Sequence, residues 1–329
     1  MSLISELKKV KKPRGYKMLF IYEADSGIVH LCGEDIIIEF EEKCFDIDVC
    51  CDFDALWGKI KNCKAKDIIN IKNGEKGECV LKINNKYVEE LPCFNYSPLK
   101  WSIPQEDDSS FKYTGNVAEL SAAFKALDKM TISISLYPAL QNIHFVRGDA
   151  LSCDFVSVER FLPCYLINEN NDKCGFHDDF SINSTLLKNI DLIKEKTVYI
   201  QEYNNKIVFS DKNTCVVLRK NSNCLKELLI PLLNGSSINI VWNITQTEGR
   251  QLVKSSISST DKSISCPAWI NNGEVFVGES KIGDCQSDLK VVLPFKDCID
   301  GFNKSWFKDD KYIYFNLDDL GQHQRVFKV

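Results

Sequence analysis

Fifteen cysteines and four histidines are the side chains best able to do chemistry in this chain. Metal binding or nucleophilic catalysis would need them at set spacings. Cys50 and Cys51 are adjacent, no Cys-x-x-Cys pair occurs, and His30, His144, His177 and His323 are scattered. This spacing argues against a zinc site. The cysteine count is odd, and Cys63, Cys79, Cys153 and Cys215 fall at core positions of expected helices and strands. Free buried thiols in a reducing, cytoplasmic setting are therefore expected rather than a disulfide scaffold. Gly-x-Ser-x-Gly, His-Glu-x-x-His, Walker-type and Gly-x-Gly-x-x-Gly sequences are absent. Paired acids such as Glu41-Glu42 and Asp309-Asp310 lie in expected turns or strand ends and read as charged loops. No catalytic residue, metal or cofactor is expected.

The remaining chemistry is electrostatic. The chain carries a net charge of −5, yet its basic residues are not spread evenly. Away from the apolar stripes of the expected helices lie Lys8, Lys9 and Lys12, then Lys61 and Lys66, then Lys125 and Lys129. Lys188, Arg250 and Lys254, and Lys304 and Lys308 follow. Acids gather elsewhere, at 39–42, 89–90, 106–108, 178–179 and 318–319. On any one helix, lysines merely solvate an exposed face. A basic outer face on every helix of an acidic chain points to a polyanionic partner.

The elements that must position these residues repeat. Asn116 reads as the N-cap of a helix with Val117, Leu120, Phe124 and Leu127 on one face. Strands are expected at 131–136, 143–146 and 150–158. Asp52 starts a second copy, with Phe53, Leu56, Ile60 and Cys63 on one face and strands at 68–72, 79–84 and 86–91. Leu186, Ile190 and Ile193 mark a third, followed by strands at 197–203, 206–210 and 214–219. Phe295, Ile299, Phe302 and Trp306 mark a fourth, and weaker helices are expected over 1–15 and 247–258. Asn272-Gly273 is a hairpin signal. Helix-plus-sheet units repeated along one chain define an α+β repeat architecture. Polar stretches at 101–110 and 221–237 divide the 329 residues into segments 1–105, 111–220 and 232–329, two units in each. No run has the apolar length of a membrane span, and residues 1–12 lack an apolar leader core.

Residues 116–162 resemble the second domain of the bacterial DNA sliding clamps, the beta subunit family of DNA polymerase III. The resemblance rests on the helix, on Leu140-Gln-Asn-Ile-His-Phe145, and on Phe155-Val-Ser-Val-Glu-Arg160-Phe161. These stand where the family reads Leu-x-Gly followed by two apolar residues and Phe, and then Ala-Thr-Asp-Gly-x-Arg-Leu. Ser157 and Val158 replace the family's Asp-Gly, and Cys224-Leu-Lys-Glu stands where the family has Phe-Pro-Asp-Tyr. Residues 182–219 and 45–92 resemble further half-domains of the same family.

The resemblance implies a three-domain clamp fold, with helices inside and a continuous antiparallel sheet outside, closing as a homodimeric ring. It implies sequence-independent binding of double-stranded DNA by Lys9, Lys12, Lys61, Lys66, Lys125, Lys129, Lys188, Arg250, Lys254 and Lys304. It implies a groove for short peptides of DNA polymerase and clamp loader, formed by Leu140, Val156, Val158, Arg160, Phe161, Leu229, Val326 and Phe327. Tyr87 and Val88 would meet Ile257 of a second copy. A clamp-like module that never closes, or a β-rich assembly protein with no DNA role, are the alternatives.

Overall fold

A computed structural model describes residues 3–64, 66–73, 79–94, 111–129, 131, 138–146, 148–153, 157–161, 166–222, 235–256, 266–287, 289–308, 311–317 and 323–328. The chain forms two compact units, Met1–Asp128 with Cys164–Cys224, and Lys129–Pro163 with Leu225–Val329. The segment 111–220, read from the sequence as one piece, is thus shared between them. The reason is sheet continuity. Thr214–Arg219 pairs with Ile36–Glu41, while Ser157–Phe161 pairs with His323–Lys328.

In the first unit ten antiparallel strands form one sheet. Their order is Lys173–Cys174, Leu166–Asn168, Phe111–Asn116, Thr197–Glu202, Lys206–Ser210, Thr214–Arg219, Ile36–Glu41, Ile28–Gly33, Met18–Glu23 and Val49–Asp52. A second sheet holds Ile69–Asn73, Cys79–Ile83 and Lys86–Leu91. The helix Phe53–Ile60 begins where its cap predicts: Asp52 Oδ1 accepts the Ala55 amide at 2.9 Å. Phe53, Leu56 and Ile60 are buried, as their spacing on one face requires. The helix Val117–Asp128 is capped by Asn116, whose Oδ1 accepts the amides of Ala118 and Glu119 at 2.9 and 3.3 Å. It buries Leu120, Phe124 and Leu127 and packs on the helical segment 184–192. Gly115 sits under this helix, and a Cβ there would lie 2.8 Å from Leu120 Cδ1.

In the second unit the order Asn142–Val146, Asp149–Cys153, Ser157–Phe161, His323–Lys328, Tyr312–Asn316, Trp306–Lys308, Ser236–Ile238 makes one antiparallel sheet. A five-stranded sheet follows the order Ile240–Trp242, Ser280–Cys285, Glu274–Val277, Pro267–Asn271, Val291–Pro294. Asn272 and Gly273 both have positive φ, 50° and 86°, which is the type I′ turn their pairing predicts. The helix Gln246–Ser256 starts with a capping box. Thr245 Oγ1 accepts the Glu248 amide at 3.2 Å, and Glu248 Oε2 accepts the Thr245 amide at 2.7 Å.

Several expectations change. The first helix spans only Leu3–Leu7. Its continuation tightens to i→i−3 bonds at Lys9 and Val10, so Lys9 and Lys12 sit beyond the helix. The strand expected over 150–158 is a hairpin, Asp149–Cys153 against Ser157–Phe161, with Cys153 opposite Val158. No Gly or Pro marks that reversal. Ser280–Cys285 adds a strand absent from the sequence reading, Ser236–Ile238 and Ile240–Trp242 on either side of Asn239 belong to two different sheets, and Trp306 opens a strand rather than closing a helix. The expected strand 131–136 lies almost wholly outside the described residues. Cys79 and Cys93, expected as free thiols, form a disulfide with Cα atoms 5.9 Å apart. Strand register causes this: Cys79 pairs with Leu91, which brings Cys93 within reach. No helix among the described residues is long and apolar enough to cross a membrane.

Candidate nucleic-acid face and partner groove

In the first unit the basic residues separate into paired and unpaired groups. Lys12 Nζ lies 2.9 Å from Asp54 Oδ2, Lys125 Nζ 2.7 Å from Asp191 Oδ2, and Lys188 Nζ 2.5 Å from Asp128 Oδ2. Lys9 Nζ is 3.4 Å from Glu6 Oε2. Asp191 also accepts the Ser121 hydroxyl, so it ties two helices together. Lys61 and Lys66 are exposed, and neither is in an ion pair among the described residues, although the charge of Lys66 helps to lower the pKa of its neighbour Asp67. In the second unit Lys129 and Lys254 are likewise exposed without an acidic partner there. Arg250 reaches Asp300 at 3.8 Å, and Lys304 Nζ donates to the Leu317 carbonyl at 3.4 Å. The Lys125–Asp191 and Arg250–Asp300 pairs are the more exposed ones and are screened by salt, so they can yield to phosphate most readily, whereas Lys12, Lys188 and the buried Glu6 sit in more enclosed surroundings. The strongest anchors for a polyanion are Lys61, Lys66, Lys129 and Lys254, which hold no ion pair among the described residues. Patterning alone could not mark Lys12, Lys125 and Lys188 as paired, because their acidic partners are distant in sequence.

Groove residues of the second unit meet across strands. Val158 pairs with Val326, and Val326 with Tyr314. Directly opposed side chains share a face, so these three form one apolar row. Cys153 extends it on one side and Phe307 on the other, its ring 5.2 Å from that of Tyr314. The Gly235 amide donates to the Tyr314 hydroxyl at 3.0 Å, fixing the chain where it enters this sheet. Leu140, Val158 and Val326 are all buried. Phe327 departs from the expected set. It lies on the opposite face of its strand from Val326, as alternation demands. Its ring is wholly buried, stacked on Trp306 with centroids 6.0 Å apart, in the core that holds Phe315 and Ile313. Phe327 is therefore a core residue. Arg160 stands opposite Gln324 and Phe161 opposite His323. Val156, Leu229 and Ile257 lie outside the described residues. Tyr87 and Val88 belong to Lys86–Leu91, an outer strand of the three-stranded sheet.

A buried ion pair escaped the sequence reading. Arg325 Nη2 lies 2.5 Å from Glu159 Oε2, on facing strands with both side chains in the core. Arg325 Nη1 donates to the Asp297 carbonyl at 3.4 Å and faces Asp300 at 3.8 Å. Ser152 Oγ and Arg325 Nε are buried without a partner among the described residues. Such a pair fixes register more than it adds stability. In the first unit, His30 Nδ1 sits 3.0 Å from Glu39 Oε1 and its Nε2 3.6 Å from Glu23 Oε1. Burial alone would lower the His30 pKa. The hydrogen bond and charge of Glu39, helped by Glu23, outweigh burial and raise it. No group of three or more His, Cys, Asp or Glu among the described residues is placed to hold a metal ion.

No protein-family model and no curated protein matches this sequence. Solved structures do. A DNA polymerase III beta subunit from Thermotoga maritima, 11% identical, aligns over 99% of this chain and 95% of that one with a TM-score of 0.68. The chain has the sliding-clamp fold. A DnaN sliding clamp from Bartonella birtlesii, bound to griselimycin, is 12% identical over 99% of this chain and 96% of that one, with a TM-score of 0.68. A DNA polymerase III beta chain from Streptococcus pneumoniae gives 15%, 99%, 95% and 0.64. The helix-plus-sheet repeat read from the sequence is thus the repeat of the clamp fold. At identities of 11 to 15% the likeness resides in the backbone, and the lysines and groove side chains are this chain's own.

Proposed function

We propose that this protein is a DNA polymerase processivity factor: three domains, 1–105, 111–220 and 232–329, in a cytoplasmic homodimer that closes head to tail around duplex DNA. The observation that carries the reading is the clamp fold over 99% of the chain in an otherwise acidic protein with unpaired lysines at helix ends. A ring cannot leave a duplex it encircles, so its grip on phosphate stays weak and blind to sequence. Ten basic residues supply that grip: Lys61, Lys66, Lys129 and Lys254 directly, and Lys9, Lys12, Lys125, Lys188, Arg250 and Lys304 once they exchange their present partners for phosphate. The row Cys153–Val158–Val326–Tyr314, with Leu140, Val156, Arg160, Phe161 and Leu229, forms the seat for a short apolar peptide of polymerase or clamp loader. Tethering there raises the partner's effective concentration on DNA without any catalysis by the clamp.

The closing contact joins the outer strand at Tyr87 and Val88 to the segment at Ile257 of a second copy. Identical head-to-tail contacts close a ring when two copies complete the rotation. The pairing of Lys12, Lys125 and Lys188 with carboxylates favours a second reading, a clamp-fold module that binds partners without enclosing DNA. Light scattering separates them. The ring requires a dimer that Ile257→Asp converts to monomer. A parent that is monomeric at high micromolar concentration rejects the ring.

A further inference from the structure

Three cysteines of the first unit converge where its two sheets meet. Cys79 and Cys93 are bonded. Cys93 also forms an antiparallel bridge with Cys51, a free and wholly buried thiol on the strand Val49–Asp52. The Phe94 amide donates to the Cys50 carbonyl at 2.8 Å. That bond flanks the Cys51–Cys93 pair, which makes it a non-hydrogen-bonded pair. Directly opposed residues of this kind have Cα atoms about 4.5 Å apart with side chains on one face. That separation is inside the range a disulfide spans, about 4.4–6.8 Å. Cys93 therefore has two partners in reach: one in the three-stranded sheet and one at the edge of the ten-stranded sheet.

We propose that Cys51, Cys79 and Cys93 form a thiol–disulfide exchange site in which Cys93 passes between two partners. The Cys51 thiol gives up its proton, and its thiolate attacks Sγ of Cys93. The Cys51–Cys93 bond forms, the Cys79–Cys93 bond breaks, and Cys79 leaves as a thiolate that takes up a proton. Two electrons stay in the one disulfide throughout, so no outside oxidant or reductant is consumed. Burial, with the charges of Cys50 and Asp52, pushes the Cys51 thiol up to about 12, so exchange at neutral pH is slow and both isomers can be trapped by acid. The exchange moves the covalent tie. One isomer fastens the end of Lys86–Leu91 to its own sheet. The other fastens it to the strand whose Asp52 caps the helix Phe53–Ile60, and frees Cys79 at the start of its strand.

The test uses the full chain, oxidised in a buffer of reduced and oxidised glutathione, quenched with acid, alkylated, digested and mapped by mass spectrometry. The parent should yield both Cys79–Cys93 and Cys51–Cys93 peptides. Cys79→Ser should convert the population to Cys51–Cys93, and Cys51→Ser should leave Cys79–Cys93 alone. Amide exchange over 86–91 should be faster in Cys79→Ser than in Cys51→Ser. A Cys51–Cys93 peptide from either parent or Cys79→Ser supports the site. Its absence from both, with Cys51 recovered alkylated in each, overturns it, and the parent measurement holds even where the variant folds poorly.

Discussion

At the scale of single residues, the Glu159–Arg325 pair and the His30 cluster set the most direct tests. Removing Arg325 takes from the buried Glu159 its cation on the facing strand, a loss of about 3–5 kcal/mol in comparable cases. Arg325→Met should therefore lower the denaturation midpoint sharply. Arg325→Met combined with Glu159→Leu should recover most of the loss, since neither charge then remains buried. Equal midpoints for the single and double variants would contradict the pairing. His30 has a raised pKa in the folded chain, held by Glu39 and Glu23 across the neighbouring strands. Its stabilising contribution is complete below the unfolded pKa of about 6.5 and is lost as pH rises through the higher folded value. The stability gap between parent and His30→Asn should shrink from pH 5.5 to pH 8.5, read from urea midpoints at each pH. A gap that widens would reverse the assigned sign. Neither cluster was legible in the sequence, because each pairs residues from strands whose register only the fold defines.

At the scale of elements, local chemistry was legible and register was not. The caps at Asp52 and Asn116, the helices they start and the turn at Asn272-Gly273 formed where residue type alone required. These depend on neighbours within four residues, so sequence reports them. The Val326-Phe327 tail shows the opposite case. Grouped as adjacent apolar residues, the two part to opposite faces once the strand pairs with Ser157–Phe161. Truncating Phe327–Val329 should thus unfold the second unit, since losing a buried Phe costs about 3–5 kcal/mol. Val158→Asp also buries a charge. A milder probe, Val158→Ala, should weaken binding of a labelled Gln-Leu-x-Leu-Phe-type peptide while circular dichroism stays unchanged. Phe327→Leu should leave that affinity intact. The reverse ranking would move the groove to the other face of the sheet. The pairing of Lys12, Lys125 and Lys188 was also invisible in one dimension. Reversing Lys61, Lys66 and Lys129 to Glu should lower DNA affinity and its salt slope without moving the thermal midpoint. Lys125→Glu should lower both, because it also places a carboxylate beside Asp191. A triple variant with the parent's salt slope would take those lysines off the DNA path.

At the scale of the molecule, the repeat was legible because each unit buries one apolar helix face on its sheet, and that requirement recurs along the chain. The boundaries were less so: strands of the middle segment complete the sheets on either side, so compact units and repeats do not coincide. Topology, rather than tight binding, is what the proposed function demands of this architecture. The decisive measurement is retention on DNA of defined topology. The protein is incubated with a nicked circular plasmid and a bacterial clamp-loader complex, isolated by gel filtration at high salt, and the plasmid is then cut once. The ring account predicts protein that co-elutes with the circle and falls to free protein after the cut, at unchanged salt. Protein that stays on the linear product as firmly as on the circle, or that never co-elutes with either, would contradict it.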